Sequence, residues 1–394
     1  MDEIHPLFEV DPSLPKAGGP VKPYRWLLID GGGLATTAWA THRDLERVEN
    51  RIRTAVYVMI TCLASLSRLV HESAKIVVAW DGYDNRAWRR GHHPWYKHGR
   101  GTMIDRREVA VVVDQVGQLL TAMGVAMLQI PGREADDLVA TLARRVEANG
   151  ETCLIFSDDK DYIQLVGDNI HLARRSMDGI VMTPDQCKLM GLPFGEHALH
   201  IKAVAGDSGD NIRGLRGIGD KKAFQLLEAH PDFFEMACED PSLVDWDDLP
   251  RSVRMAFVRA GRKITHPVPI QDKEFVLAFC SRGDQKHLQR IVDVDMACSE
   301  EAALREAAIE SVRCLRLVEM DTEVPLPDPI EFPNINVERI PVLLKALDMA
   351  DEHDLISSLY ALARMRNPSL LPPRRAAVRA GQVIDMSPTP DDMF

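Results

Sequence analysis

The amino-acid sequence predicts an α/β protein: a mostly parallel sheet flanked by helices, followed by a helical region. Three observations lead there. Short apolar runs alternate with stretches of helical periodicity through about residue 185, which demands crossover connections and hence parallel strands. Each run stops, within two residues, at a carboxylate or a proline–glycine pair. Past about Gln186 the alternation gives way to short helices joined by glycine-rich turns.

Residues 1–24 hold acidic positions, prolines and no continuous apolar stretch, so they read as a flexible lead-in, unlike a secretory signal or transit peptide. The first strand is 25–29 (RWLLI), ending at Asp30 and followed by Gly31, Gly32 and Gly33. Ile52, Val56, Met59, Ile60, Leu63, Leu66 and Val70 recur at helical spacing and predict a helix over about 51–72. The second strand, 76–79 (IVVA), closes on Trp80, Asp81 and Gly82. A helix over 106–123, a third strand at 126–130 (AMLQI), a helix over 134–149 and a fourth strand at 152–156 (TCLIF) follow, and Ser157 to Asp161 open a short helix. Residues 25–185, with a basic and aromatic tract at 84–105, form one core, and 186–300 a second region. Residues 301–367 read as helical, and 368–394, rich in proline with an acidic end, as a disordered tail.

Lys and Arg number 47 against 59 Asp and Glu, a net charge of -12, which excludes a generally basic nucleic-acid-coating protein but leaves local basic patches open. The 7 cysteines lie far apart without a C-x-x-C pair, against a zinc knuckle or disulfide framework and in keeping with a reducing cytoplasm. No apolar run approaches the roughly 20 residues of a membrane span.

The strand ends share a chemistry. Asp30 follows the first strand, Asp81 the second, Glu134, Asp136 and Asp137 the third, and Asp159 and Asp161 the fourth. In a parallel sheet these ends open onto one crevice. Crowded carboxylates raise one another's pKa values and call for hard cations; oxygen-only ligation selects Mg²⁺ or Mn²⁺ over zinc. Glu134 and Asp137 share a helix face while Asp136 points elsewhere, so one turn can serve two ions. Helix capping explains Asp136 or Asp159 singly, but not acids at four successive strand ends. Asp207 and Asp210, in the turn 206–212, are expected to complete a two-metal site suited to phosphodiester hydrolysis.

The ordered motifs LIDGGG (28–33), VAWDG (78–82), GREADDLVATLARR (132–145), SDDKDYIQLV (157–166) and VAGDSGDNIRGLRGIGDKKA (204–223) resemble the 5′-nuclease family. That family comprises flap endonucleases, phage 5′→3′ exonucleases and the 5′-nuclease domain of bacterial DNA polymerase I. The resemblance implies a PIN-like or resolvase-like nuclease core with a helix–three-turn–helix region, and two Mg²⁺ ions, with Mn²⁺ able to substitute. It assigns Asp30, Asp81, Glu134 and Asp136 mainly to one ion, and Asp137, Asp159, Asp161, Asp207 and Asp210 mainly to the other.

The tract between Asp81 and Asp105 interleaves Arg86, Arg89, Arg90, Lys97 and Arg100 with Trp88, Trp95 and Tyr96, a composition suited to single strands because cations track phosphates and rings stack on bases. By resemblance it is the family's arch, with Arg89 and Tyr96 touching DNA and Lys97 and Arg100 stabilising charge on the scissile phosphate. The hairpin from Gly214 to Gly219 opens a helix; Gly217, Gly219, Lys221 and Lys222 form a phosphate cradle. The resemblance implies duplex binding there, often with a K⁺ ion. Thr37 and Trp39 stand where the family carries a basic and an aromatic residue, leaving Trp39 as the DNA contact of that pair and Arg43 as a substitute cation.

The function expected is a structure-specific 5′→3′ exonuclease or flap endonuclease that leaves 5′-phosphorylated products in replication or repair. Its partners would be DNA with a free 5′ end, an RNA primer, and a replication protein docked on the C-terminal tail; no membrane is involved. A PIN-like ribonuclease accounts for the strand-end acids but not for the hairpin or the tract. A non-catalytic junction-binding scaffold should have lost acids.

Overall fold

The structure is a computed structural model and describes residues 24–92, 94, 96–97, 105–174, 180–262, 264 and 299–370. It falls into two compact units: one takes the described residues up to Asn85, from 105 to Leu192 and from Asp321 onward, the other Arg86 to 97 and Pro193 to Met320.

The first unit carries six strands, β1 Tyr24–Asp30, β2 Val70–Trp80, β3 Ala126–Gln129, β4 Cys153–Phe156, β5 Ile170–Ala173 and β6 Val181–Met182, in the order β3-β2-β1-β4-β5-β6. Strands β1 to β5 are parallel and β6 is antiparallel to β5. Central β1 and β4 are covered on both faces, with Leu27, Leu28, Ile29, Leu154 and Ile155 almost fully buried, so their sequences are continuous apolar runs rather than alternating ones. At the edge, β3 alternates buried and exposed residues. Strand order reverses between β1 and β4, and the crevice at that reversal opens beside Asp30 and Ser157.

Two elements depart from the pattern read in the sequence. Gly31–Thr41 is a helix despite its three leading glycines, because Asp30 caps it by accepting from the Gly33 amide at 2.9 Å. A Cβ on Gly31 would stand 2.7 Å from the Trp80 ring, so glycine lets this helix lie close against β2. The second departure is the end of the next helix: it stops at Ser65, and β2 begins at Val70 rather than at 76. Val70 is paired with Tyr24 and Ala74 is buried, an apolar spacing that a helix and a strand can both satisfy.

The C-terminal region divides. Helix Glu300–Val318 packs within the second unit, whereas helices Arg339–Ala346 and His353–Arg364 bury Ile340, Leu344, Leu355, Leu359 and Leu362 in the same core as Val56, Met59, Ile60 and Leu63. The second unit is helical among its described residues, with Gly195–Ala205, Asp220–Ala229, Phe233–Glu239 and Arg251–Gly261 gathered round Val204, Leu226, Phe233 and Phe257. Among the described residues no helix is long and apolar enough to cross a membrane.

One glycine fixes the rim. Gly82, directly after Asp81, donates to the Arg133 carbonyl at 3.0 Å, and a Cβ there would stand 1.8 Å from the Ile130 carbonyl oxygen. Gly82→Ala should therefore push the loops after β2 and β3 apart and lower stability by about 2 kcal/mol or more, as overpacking against fixed backbone does. A shift in the urea midpoint measures it; an unchanged midpoint would show that the rim yields.

Candidate metal centre and nucleic-acid contacts

Asp30 sits at the carboxyl end of the central strand, 7% exposed. Its Oδ1 accepts from the Gly33 amide and its Oδ2 from the Ser157 hydroxyl at 3.1 Å. Burial is the main cause that lifts its carboxyl to about 7; the Gly33 amide pulls the other way, and the charges of Asp81, Asp159 and Asp136 raise it further. The four groups thus form one electrostatic cluster. Gly32 lies between two of them, since a Cβ there would stand 3.3 Å from Asp81 Oδ2 and 3.8 Å from Asp30 Oδ1.

Local structure places each member. Asp81 Oδ1 accepts from the Ala135 amide at 3.0 Å, fastening the end of β2 to the first turn of helix Ala135–Ala148. Glu134 is the N-cap of that helix and is 4% exposed. Asp136, half-buried, accepts from the Asp137 amide. After β4, the Ser157 hydroxyl bridges the Asp30 carboxyl and the Asp159 amide, and Asp159 caps the short turn Lys160–Leu165 by accepting from the Asp161 amide at 2.9 Å.

A residue that the sequence motifs do not single out completes the picture. Tyr162 is fully buried, and its hydroxyl has no hydrogen-bond partner among the described residues. Burial raises its pKa well above the ordinary phenol value, and Asp30, Asp136, Asp159 and Asp81 reinforce the rise, so the phenol stays protonated. An all-oxygen donor set, a buried carboxyl that resists ionising and an orphaned hydroxyl beneath it suit a hard, hydrated cation. No pattern of spacing marks Tyr162; only its place inside the acidic motif 157–166 could have done so.

Asp137 takes a partner from far along the chain. It is 1% exposed, and its Oδ1 accepts from the Asp321 amide at 2.9 Å. The helix begins one residue after Glu134, so Asp136, not Asp137, is the first-turn acid whose charge reaches Asp30.

Asp207 and Asp210 lie in the second unit, in a turn closed by the Asp207 amide on the Ile212 carbonyl at 2.7 Å. Lys202 Nζ stands 2.6 Å from Asp207 Oδ2, and Lys97 Nζ 3.7 Å from Asp210 Oδ2. The Lys97 amide also donates to the Asp210 carbonyl at 3.0 Å, and the Tyr96 hydroxyl donates to Asp210 Oδ2 at 3.2 Å.

Three residues expected to touch DNA are inside. Tyr96 is 2% exposed, in the core of the second unit. Arg89 is buried, donating to the Glu319 carbonyl, with Trp88 and Tyr96 rings beside it. Trp39 is buried in the first unit and donates through Nε1 to Glu108, which Arg51 holds as well. In each case an amphipathic side chain spends its polar end on a protein partner. Arg100 and Trp95 lie outside the described residues. Gly217, at φ +88, and Gly219 are exposed, as is Lys221; helix Asp220–Ala229 starts at Gly219 without a side-chain cap, and Lys222 Nζ donates to the Gly217 carbonyl at 3.0 Å.

The chain is similar in sequence to known proteins. The family profile described as 5'-3' exonuclease, N-terminal resolvase-like domain, matches residues 25–189. A 5'-3' exonuclease of Buchnera aphidicola subsp. Schizaphis graminum is 30% identical over 202 residues, 51% of this chain and 69% of that protein. Flap endonuclease Xni of Shewanella denitrificans is 31% identical over 211 residues, 51% of this chain and 76% of that protein. The thermostable DNA polymerase I of Thermus aquaticus is 31% identical over 247 residues, 60% of this chain but only 28% of the polymerase. A solved structure of zinc-bound T5 5'-exonuclease is 18% identical, with a TM-score of 0.48, covering 84% of this chain and 99% of that one.

Proposed function

Because this chain belongs to the family of 5′-3′ exonucleases and flap endonucleases, which hydrolyse phosphodiester bonds, we propose that it is a divalent-metal-dependent, structure-specific 5′ nuclease. Asp30, Asp81, Glu134, Asp136 and Asp159 would hold the cations, with Asp161 extending the set from the same turn as Asp159. The observation that supports this best is the buried Asp30 carboxyl, lifted to about 7 by burial and by three neighbouring acids. By resemblance Asp207 and Asp210 are further candidates, and within their own unit each already faces a lysine.

Mg²⁺ is the cation proposed, with Mn²⁺ as a substitute; when bound, a pair of such ions supplies a deprotonated water for attack and positive charge for the leaving oxygen. The protein's own part is orientation. The Gly33 amide and the Ser157 hydroxyl fix both oxygens of Asp30, and the Tyr162 phenol keeps a proton to donate. The uncapped start of helix Asp220–Ala229, with Lys221 beside it, is suited to bind duplex phosphates without reading sequence. A K⁺ ion at the hairpin from Gly214 to Gly219 would compete with the Lys222 ammonium for the Gly217 carbonyl. The substrate proposed is DNA with a free 5′ end, including one bearing an RNA primer, in a bacterial cytosol; the tail proposed to dock a replication protein lies outside the described residues.

The test uses 5′-labelled flapped, nicked and blunt duplexes beside single-stranded RNA, with Mg²⁺ and with EDTA. Flap cleavage in Mg²⁺ that stops in EDTA is expected. Cleavage that survives EDTA, or RNA cut faster than flap, would overturn the reading. Lys97→Ala should lower the single-turnover rate about a hundredfold, the scale of one lost charge stabiliser, while flap affinity changes little. A loss confined to affinity would make Lys97 a positioning contact.

A further inference from the structure

Asp137 is one of three acids in the EADD motif at 134–137, and the structure gives it a partner 184 residues further along the chain. The segment after Asp321 lies along helix Ala135–Ala148 and is tied to it at successive turns. The Asp321 amide donates to Asp137 Oδ1 at 2.9 Å, and the Asp321 side chain pairs with Arg133. The Thr141 hydroxyl donates to the Asp321 carbonyl at 3.0 Å and accepts from the Val324 amide at 3.2 Å. Arg145 donates to the Pro327 carbonyl at 2.8 Å. Val324 and Leu326 are buried.

These bonds climb the helix from its start through its third turn. Arg133, Glu134 and Asp136 belong to the same rim loop and first turn, so whatever holds Asp137 and Arg133 also sets where Glu134 and Asp136 stand. A metal site is sensitive to such support: partners that orient a ligand weigh on affinity almost as much as the ligand itself. We propose that Asp137 is a positioning residue rather than a ligand, and that residues 321–327 form a strap that holds the metal-bearing turn in place.

The inference rests on the metal-site reading above, and its test keeps the two apart. Mn²⁺ binding to the full chain is measured by titration calorimetry, and amide hydrogen exchange over 134–141 is followed without metal. Asp137→Asn keeps an acceptor for the Asp321 amide, so Mn²⁺ stoichiometry and affinity should stay within about threefold of the parent, whereas Asp136→Asn should weaken affinity about tenfold or more. Thr141→Val removes two strap bonds without touching a strand-end acid. It should weaken Mn²⁺ about tenfold and speed exchange in the first turn, and Thr141→Ser, which keeps the hydroxyl, should restore both. Loss of an ion in Asp137→Asn, or unchanged affinity and exchange in Thr141→Val, overturns the proposal. If the parent chain binds no Mn²⁺, the metal reading fails and the exchange arm still decides the strap.

Discussion

In EDTA, the unit that carries the sheet should lose stability as pH rises from about 4 to above 7, and Asp30→Asn should remove that loss. The sign follows from the direction of the change. The folded carboxyl is raised from 3.8 to about 7, mainly by burial, so between those values the folded state holds a proton that the unfolded chain has released. Its favourable contribution is complete below 3.8 and is lost as pH passes about 7. At about 1.4 kcal/mol per pKa unit, that is roughly 4 kcal/mol, a sizeable share of a domain's total stability. Urea denaturation of the parent and of Asp30→Asn, at pH 5 and pH 8, measures it. The variant should be the more stable of the two at pH 8, and divalent metal should reverse that order. A parent no less stable at pH 8 than at pH 5, relative to the variant, would contradict the account.

The second large effect concerns cleavage. Asp159→Asn should reduce single-turnover cleavage of a flapped duplex at least about a thousandfold, the equivalent of about 4 kcal/mol of transition-state stabilisation. Flap affinity should hardly change. Asp159 is exposed, and its backbone duties, capping the turn Lys160–Leu165 through an acceptor oxygen and donating its amide to Ser157, survive in asparagine. The variant loses charge and little else. Turnover near the parent's in Mg²⁺ would remove Asp159 from the site.

The acid cluster was legible in the sequence because a parallel sheet has a simple rule: successive strand ends face one rim, so an acid after each strand is an acid in the crevice. The partner of Asp137 was not. Spacing places Glu134 and Asp137 on one face, but it says nothing of the Asp321 amide, 184 residues further on, that donates to Asp137. No local pattern announces so distant a partner. The same limit hid the return of Ile340, Leu355 and Leu359 to the first core. Arg89, Trp39 and Tyr96 mislead for another reason. Basic and aromatic side chains suit a nucleic-acid surface and a buried, hydrogen-bonded niche equally well, and composition cannot distinguish the two. The glycines after Asp30 concealed a helix because glycine propensity weighs against one, while the close approach to Trp80 demands it.

Crystals grown with Mn²⁺ and measured at a wavelength where manganese scatters anomalously test the cation site most directly. The expected result is anomalous density at bonding distance from carboxylate oxygens of Asp30, Asp81, Glu134, Asp136 or Asp159, with Asp137 still turned to the Asp321 amide. Anomalous density elsewhere on the protein, with none among those five acids, would contradict the account.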